Sequence, residues 1–165
     1  MPPADVTYVL DPETPLFWQS LGTALLCGGL IGIERQLRGK AAGIRTSILI
    51  CLGTSIFVEI GTSIDAPHVD PTRVIAQITS GIGFLGGGVI LARKGLLTGV
   101  TTAAVIWVLA ALGGLIGFGH LRAAIVLTLV TLAVLIGVEL LEGMFRRLQQ
   151  GATDRELESI ELEQG

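Results

Sequence analysis

The chain has 165 residues, half of them apolar and 15% charged, with a formal net charge of −3 and a mean hydropathy of +0.72. Soluble domains average about 25% charged residues, so a soluble globule of this size is disfavoured, and the lack of a basic excess argues against a nucleic-acid partner. The 23 glycines, beside only 6 prolines, are about twice the usual share but follow no Gly-X-Y period, which removes collagen and disordered low-complexity readings.

The length is that of one domain, and its organisation follows from where charge is missing. Residues 1–15 form an acidic head with Asp5, Asp11 and Glu13. Leu16 to Ile33 is then charge-free for 18 residues, enough at ~1.5 Å per residue to cross a ~30 Å hydrocarbon layer with little tilt. A second helix is expected over Ile44 to Ile60, with Arg45 and Glu59 at opposite interfaces. Val74 to Ala92 gives a third over 19 charge-free residues, Gly95 to Gly119 a fourth over 25, and Ala123 to Val138 a fifth over 16. The expected fold is therefore all-α: a bundle of five transmembrane helices over residues 16–143, closed by an acidic tail over 144–165 containing Asp154, Glu156, Glu158, Glu161 and Glu163.

Basic residues in short loops set orientation. With the N-terminus outside, Arg35, Arg38, Lys40, Arg45, Arg93, Lys94, Arg146, Arg147 and Arg155 are cytoplasmic, leaving Arg73 and Arg122 outside. The head has neither a basic n-region nor a small-residue cleavage site, so the first helix is expected to remain in the mature protein. Phe17 and Trp18 fall at the outer interface and Phe145 at the inner one, as belt anchors do. Trp107 is deep in helix four, where helix packing is its expected role. Cys27 and Cys51 lie within spans and read as small buried hydrophobes.

Between lipid-embedded helices, close backbone approach through small residues is a main source of affinity. Gly28 and Gly32, Gly83 and Gly87, and Gly113 and Gly117 each make a Gly-x-x-x-Gly step, fitting packing inside the chain, a homodimer seam, or both. Gly81, Gly83 and Gly86 also satisfy G-x-G-x-x-G, but no strand precedes them and no acidic residue occurs between Asp70 and Glu139, so the dinucleotide reading fails. Glycine at this density can instead mark a broken or close-packed span. GGLIGIER from Gly28 parallels GGVILARK from Gly87, and GIRTSILI from Gly43 parallels GVTTAAVI from Gly99. Helices one and two thus read as a duplicate of helices three and four in the same orientation.

Polar groups in hydrocarbon are costly, so each is a candidate site. Glu34 closes helix one beside Arg35; Arg38 is its i, i+4 partner, and Arg45 is the alternative partner, across the loop. Arg73, Gln77 and Ser80 line one face of helix three, with Glu59 near the same outer side. Asp65, His68 and Asp70 between them read as solvated polarity, or their carboxylates as oxygen ligands of the kind Mg²⁺ takes. Thr98, Thr101 and Thr102 open helix four, where their hydroxyls can cap orphan amides. His120 and Arg122 form a solvated outer turn. No nucleophile, base and orienter occur together, so no enzyme is expected, and no cofactor.

GLIGIERQLRGKAAGIRT (Gly29 to Thr46), RVIAQITSGIGFLGGGVIL (Arg73 to Leu91) and GVTTAAVIWVLAALG (Gly99 to Gly113) resemble, in order and spacing, the motifs of the MgtC/SapB family. The resemblance covers about residues 16 to 140 and rests position by position on Glu34, Arg35, Gly43, Arg45, Thr46, Gln77, Gly81, Gly83, Phe84, Gly86, Thr102 and Trp107. It implies a non-enzymatic protein of the bacterial cytoplasmic (inner) membrane that supports adaptation to Mg²⁺ limitation, in some members by restraining the F-type ATP synthase. Better-studied members carry a cytoplasmic C-terminal domain where this chain has its acidic tail. Virulence-associated members often have Asn at the place of Thr101 and Cys at that of Val108, which argues against a virulence role.

Two functions are therefore expected. In the first, a regulatory membrane protein, favoured as a homodimer, presents a cytoplasmic polar cluster of Glu34, Arg35, Arg45, Thr46, Thr101 and Thr102. In the second, a small cation transporter or channel uses Glu59, Gln77 and Ser80 as a membrane-embedded polar face. In both, Gly28, Gly32, Gly81, Gly83, Phe84, Gly86, Gly87, Trp107, Gly113 and Gly117 pack helices.

Overall fold

The computed structural model describes residues 11–63, 70–93 and 96–141. The expectations for Asp5, Asp65, His68, Lys94, Phe145, Arg146, Arg147 and the acidic tail lie outside these residues. Helix α1, Pro15–Leu37, starts at Thr14, whose hydroxyl accepts the Phe17 amide at 3.4 Å, and places proline where its missing N–H costs nothing. Helix α2 is Ile44–Ser63. Helix α3, Pro71–Gly88, repeats the opening of α1: Asp70 accepts the amide and the hydroxyl of Thr72 at 2.9 and 2.7 Å, and Pro71 follows. Strands β1, Leu91–Arg93, and β2, Leu96–Thr98, pair antiparallel with Leu91 opposite Thr98. Helices α4, Val100–Gly117, and α5, Leu121–Leu141, complete the order. Residues 1–129 make one compact unit and residues 130–165 a second.

Helices α1, α2, α4 and α5 are long and apolar enough to cross a membrane. The expected five reduce to four because of α3. It has the same 18 residues as α4, so composition makes the difference: Arg73, Gln77, Thr79, Ser80 and five glycines dilute its apolar content. It runs unbroken to Gly88 rather than on to Ala92. Three successive glycines, each about 1 kcal/mol worse than alanine in a helix, end it, and the Val89 and Ile90 amides close onto the Gly86 and Gly87 carbonyls at 3.3 and 3.2 Å. The hairpin that follows is an element the all-α expectation lacked.

Helix α2 lies between α1 and α4, and glycine sets both contacts. A Cβ on Gly28 would sit 2.7 Å from the Ile48 Cα, and one on Gly32 2.6 Å from the Ile44 Cα. From the other side, a Cβ on Gly117 would lie 2.6 Å from the Val58 Cβ, and one on Gly113 would strike the Cys51 carbonyl oxygen. These pairings make α1 antiparallel and α4 parallel to α2. Cys27, Ile31, Cys51, Val58, Ile106, Leu109, Leu112 and Ile116 fill the core between them, both cysteines as free thiols.

Helix α3 is seated differently. A Cβ on Gly86 would lie 3.7 Å from the Ala103 Cβ, an ordinary contact, while one on Gly81, Gly83 or Gly87 would meet nothing within 4 Å. The expectation that the latter three pack helices inside the chain is therefore corrected. Two cavities flank α3, one of ≈ 820 Å³ toward α2 and one of ≈ 440 Å³ toward α4.

Buried hydroxyls bond back to their own helices, which lets polar residues sit in an apolar core. Thr23 donates to the Gln19 carbonyl at 2.7 Å, Ser55 to Leu52 at 2.8 Å and Thr128 to Ala124 at 2.8 Å. Among the described residues, Ser20 Oγ is the one fully enclosed side-chain polar atom without a partner.

Candidate functional site

The last turn of α1 buries an acid and a base. Glu34 is 8% exposed and Arg35 2%, and they meet at two points: Nε of Arg35 donates to one carboxylate oxygen of Glu34, and Nη2 to the other at 2.6 Å. Arg38 adds its Nε to Glu34 at 2.5 Å. Two-point guanidinium contact is the strongest geometry available to such a pair, and burial requires it, because an unpaired charge there would be far more costly. The alternative Glu34 to Arg45 bridge is not formed. Arg35 and Arg38, on the same helix, reach the carboxylate first, and Arg45 is exposed in the first turn of α2.

The loop after this cluster is held by main-chain bonds from Gly39 to Gln36 and from Lys40 to Arg35, both 3.0 Å. Gly39 and Ala42 are left-handed, at φ 62° and 60°. The Gln36 Oε1 accepts the Ile44 amide at 3.3 Å and so caps α2 from across the loop, while Ser47 donates to the Ala42 carbonyl at 3.0 Å. Gln36 is a positioning residue that sequence reasoning missed; its only signal was its place two residues after Glu34.

The remaining cluster members separate. Thr46 is exposed and lines the cavity between α2 and α3, Thr101 is exposed, and Thr102 is buried in the first turn of α4. Capping by threonine is corrected. The N-cap of α4 is Gly99, at φ 90° with no side-chain cap bond, and any Cβ there would collide with the Val89 carbonyl. A left-handed residue pressed against a carbonyl requires glycine.

The embedded polar face does not converge. Glu59 is 6% exposed on α2, and among the described residues no hydrogen bond or ion pair reaches its carboxylate. Gln77 lines the cavity between α2 and α3, whose wall includes neither Glu59 nor Ser80. Phe84 and Trp107, expected as packing residues, are 83% and 53% exposed; Trp107 borders the cavity between α3 and α4. Trp18 is exposed beside Phe17, with ring centroids 5.3 Å apart, and donates its Nε1–H to the Pro12 carbonyl at 2.9 Å.

Apolar membrane-length helices, a glycine-packed core and a buried acid–base cluster at one helix end define a polytopic helical membrane protein. The chain belongs to the MgtC family, whose model matches residues 21–144. It is similar to YhiD of Escherichia coli K12, put forward by its name as a magnesium transporter, with 44% identity over 119 residues covering 68% of this chain and 55% of that protein. It is also similar to Protein MgtC of Brucella abortus, 46% identical over 114 residues and covering 69% and 48% of the two chains. Protein MgtC of Salmonella typhi is 41% identical over 142 residues, covering 84% and 58%. The chain thus spans about half the length of the curated relatives it matches. No solved structure matches it.

Proposed function

We propose that the protein is a non-enzymatic, multi-pass protein of the bacterial inner membrane that supports adaptation to Mg²⁺ limitation by regulating a membrane partner, such as the F-type ATP synthase. The observation that carries this reading is the Glu34, Arg35 and Arg38 cluster: a fixed ionic anchor at one end of α1 that positions the loop to α2 and leaves Arg45 exposed beside it as a contact residue. The N-terminus faces out, Arg45 faces the cytoplasm, and the two hairpins α1–α2 and α3–α4 run in parallel. A second copy covers Gly83 and Gly87, whose small-residue face is open within the chain. In a strain lacking the protein, growth at limiting Mg²⁺ is restored by the wild type and not by Arg45→Ala. Pull-down of the synthase is lost with the same substitution; growth rescue and capture that both survive it overturn the reading.

The alternative, a small cation transporter, is favoured by one observation, the buried Glu59 carboxylate without a partner among the described residues. It predicts Mg²⁺ or proton flux in reconstituted liposomes that Glu59→Gln and Gln77→Ala each abolish.

A further inference from the structure

The cavity between α2 and α3 has its one charged side chain at one end and a mostly apolar wall beyond it, with Thr54 midway and Thr46 toward the far end. Arg73 stands at one end, Gln77 follows one turn down the same face of α3, and Gly81 and Leu85 continue it, opposite Phe57, Gly53, Ile50 and Leu49 of α2. By helix rise, Gln77 lies about 6 Å below Arg73 and Leu85 about 18 Å below it, while one leaflet of hydrocarbon is about 15 Å deep. The groove is open beside Gly53 and Gly81, where an added Cβ would meet nothing within 4 Å. Neither Arg73 nor Gln77 makes a side-chain hydrogen bond or salt bridge among the described residues. Arg73 acts electrostatically on Asp70, but Asp70 spends its Oδ1 on Thr72.

We propose that this groove is a binding site for one glycerophospholipid, with the phosphate at Arg73, the ester carbonyls at the Gln77 amide and one acyl chain lying along Gly81 and Leu85. Cation, hydrogen-bond donor and apolar wall occur in the order, and at roughly the spacing, of phosphate, ester and hydrocarbon in such a lipid. The occupant supplies partners for two exposed polar side chains that have none among the described residues. The volume of ≈ 820 Å³ is within the range of small-molecule sites. The proposal is independent of any role in Mg²⁺ adaptation.

The full chain, purified in detergent micelles and titrated with phosphatidylglycerol, tests it by native mass spectrometry. One lipid is retained per chain. Arg73→Gln weakens retention about fivefold, the effect of one interfacial basic residue, and Gly81→Leu and Gly53→Leu abolish it by filling the groove. Arg122→Gln, at an exposed arginine elsewhere, leaves it unchanged. Soluble glycerol phosphate does not compete, because it lacks the chain that the groove holds. Retention indifferent to both Arg73→Gln and Gly81→Leu, competition by glycerol phosphate, or a chain dimer that Gly81→Leu dissociates with no lipid bound each overturn the proposal. Circular dichroism of the three groove variants matching wild type assigns the losses to the site rather than to unfolding.

Discussion

Glu34 and Arg35 are adjacent in sequence, about 100° apart around α1, and yet their side chains turn toward each other into a buried two-point ion pair. The pair is therefore fixed by its surroundings, and removing one member leaves the other charged and enclosed. Glu34→Ala is expected to destabilise by about 3–5 kcal/mol, read as a fall in melting temperature in detergent. Arg38→Ala, at the more open third position, has the smaller effect. The double substitution of Glu34 and Arg35 by leucine recovers most of the loss; a double variant no better than Glu34→Ala would show that the pair contributes more than mutual neutralisation.

The glycine contacts give a second set of expectations. Gly32→Ala and Gly113→Ala force a Cβ onto α2 main chain and should destabilise by about 1–3 kcal/mol. Gly114→Ala and Gly22→Ala, whose Cβ atoms meet nothing within 4 Å, stay at or above wild-type stability, because alanine favours the helix. Thermal unfolding of the four variants separates the two groups, and overlapping values would disprove the assignment of packing glycines.

Glu59 contributes cost rather than cohesion. Its carboxylate has no partner among the described residues, and replacing such a group with an apolar one of similar size removes its desolvation penalty, about 1–3 kcal/mol. Glu59→Leu should therefore melt higher than wild type, and Glu59→Gln should gain less. A lower melting temperature for Glu59→Leu would mean that the carboxylate is held by a partner.

Asp70 carries a pH dependence. Its hydrogen bonds from the Thr72 hydroxyl and amide, aided by Arg73, hold its carboxyl below the usual carboxylate range. A lowered folded value means that the cap is in force above the unfolded value near ~3.9 and is lost as pH falls through the folded one. Amide exchange in the first turn of α3, corrected for intrinsic rates, should show protection that disappears on acidification below about pH 4. In Asp70→Ala the protection is absent across that range; pH-dependent protection persisting there would assign the effect elsewhere.

Charge exclusion is a property of the linear chain, so the four apolar spans could be read from residue order. The hairpin could not, because Leu91 to Thr98 interrupts its apolar run with only Arg93 and Lys94, the pattern also expected of a loop between two helices. The Gly-x-x-x-Gly steps were visible as motifs, but which helix each receives depends on assembly: Gly28 and Gly113 face α2, whereas Gly83 faces open space. Glu34 was recognisable as a site, yet its partner was settled by reach, with Arg35 and Arg38 on the same helix and Arg45 beyond the loop. Gly99 was missed as a cap because a glycine N-cap has no side chain to announce it.

Helix α2 has a consequence for biosynthesis. Ser47, Thr54, Ser55 and Glu59 are buried on it, and part of that cover comes from α4, whose Gly113 and Gly117 are made more than fifty residues later. As α2 emerges from the ribosome, α1 alone can shield it, and its polar side toward α4 stays uncovered until α4 is synthesised. The second helix to be made is thus among the last to be completed.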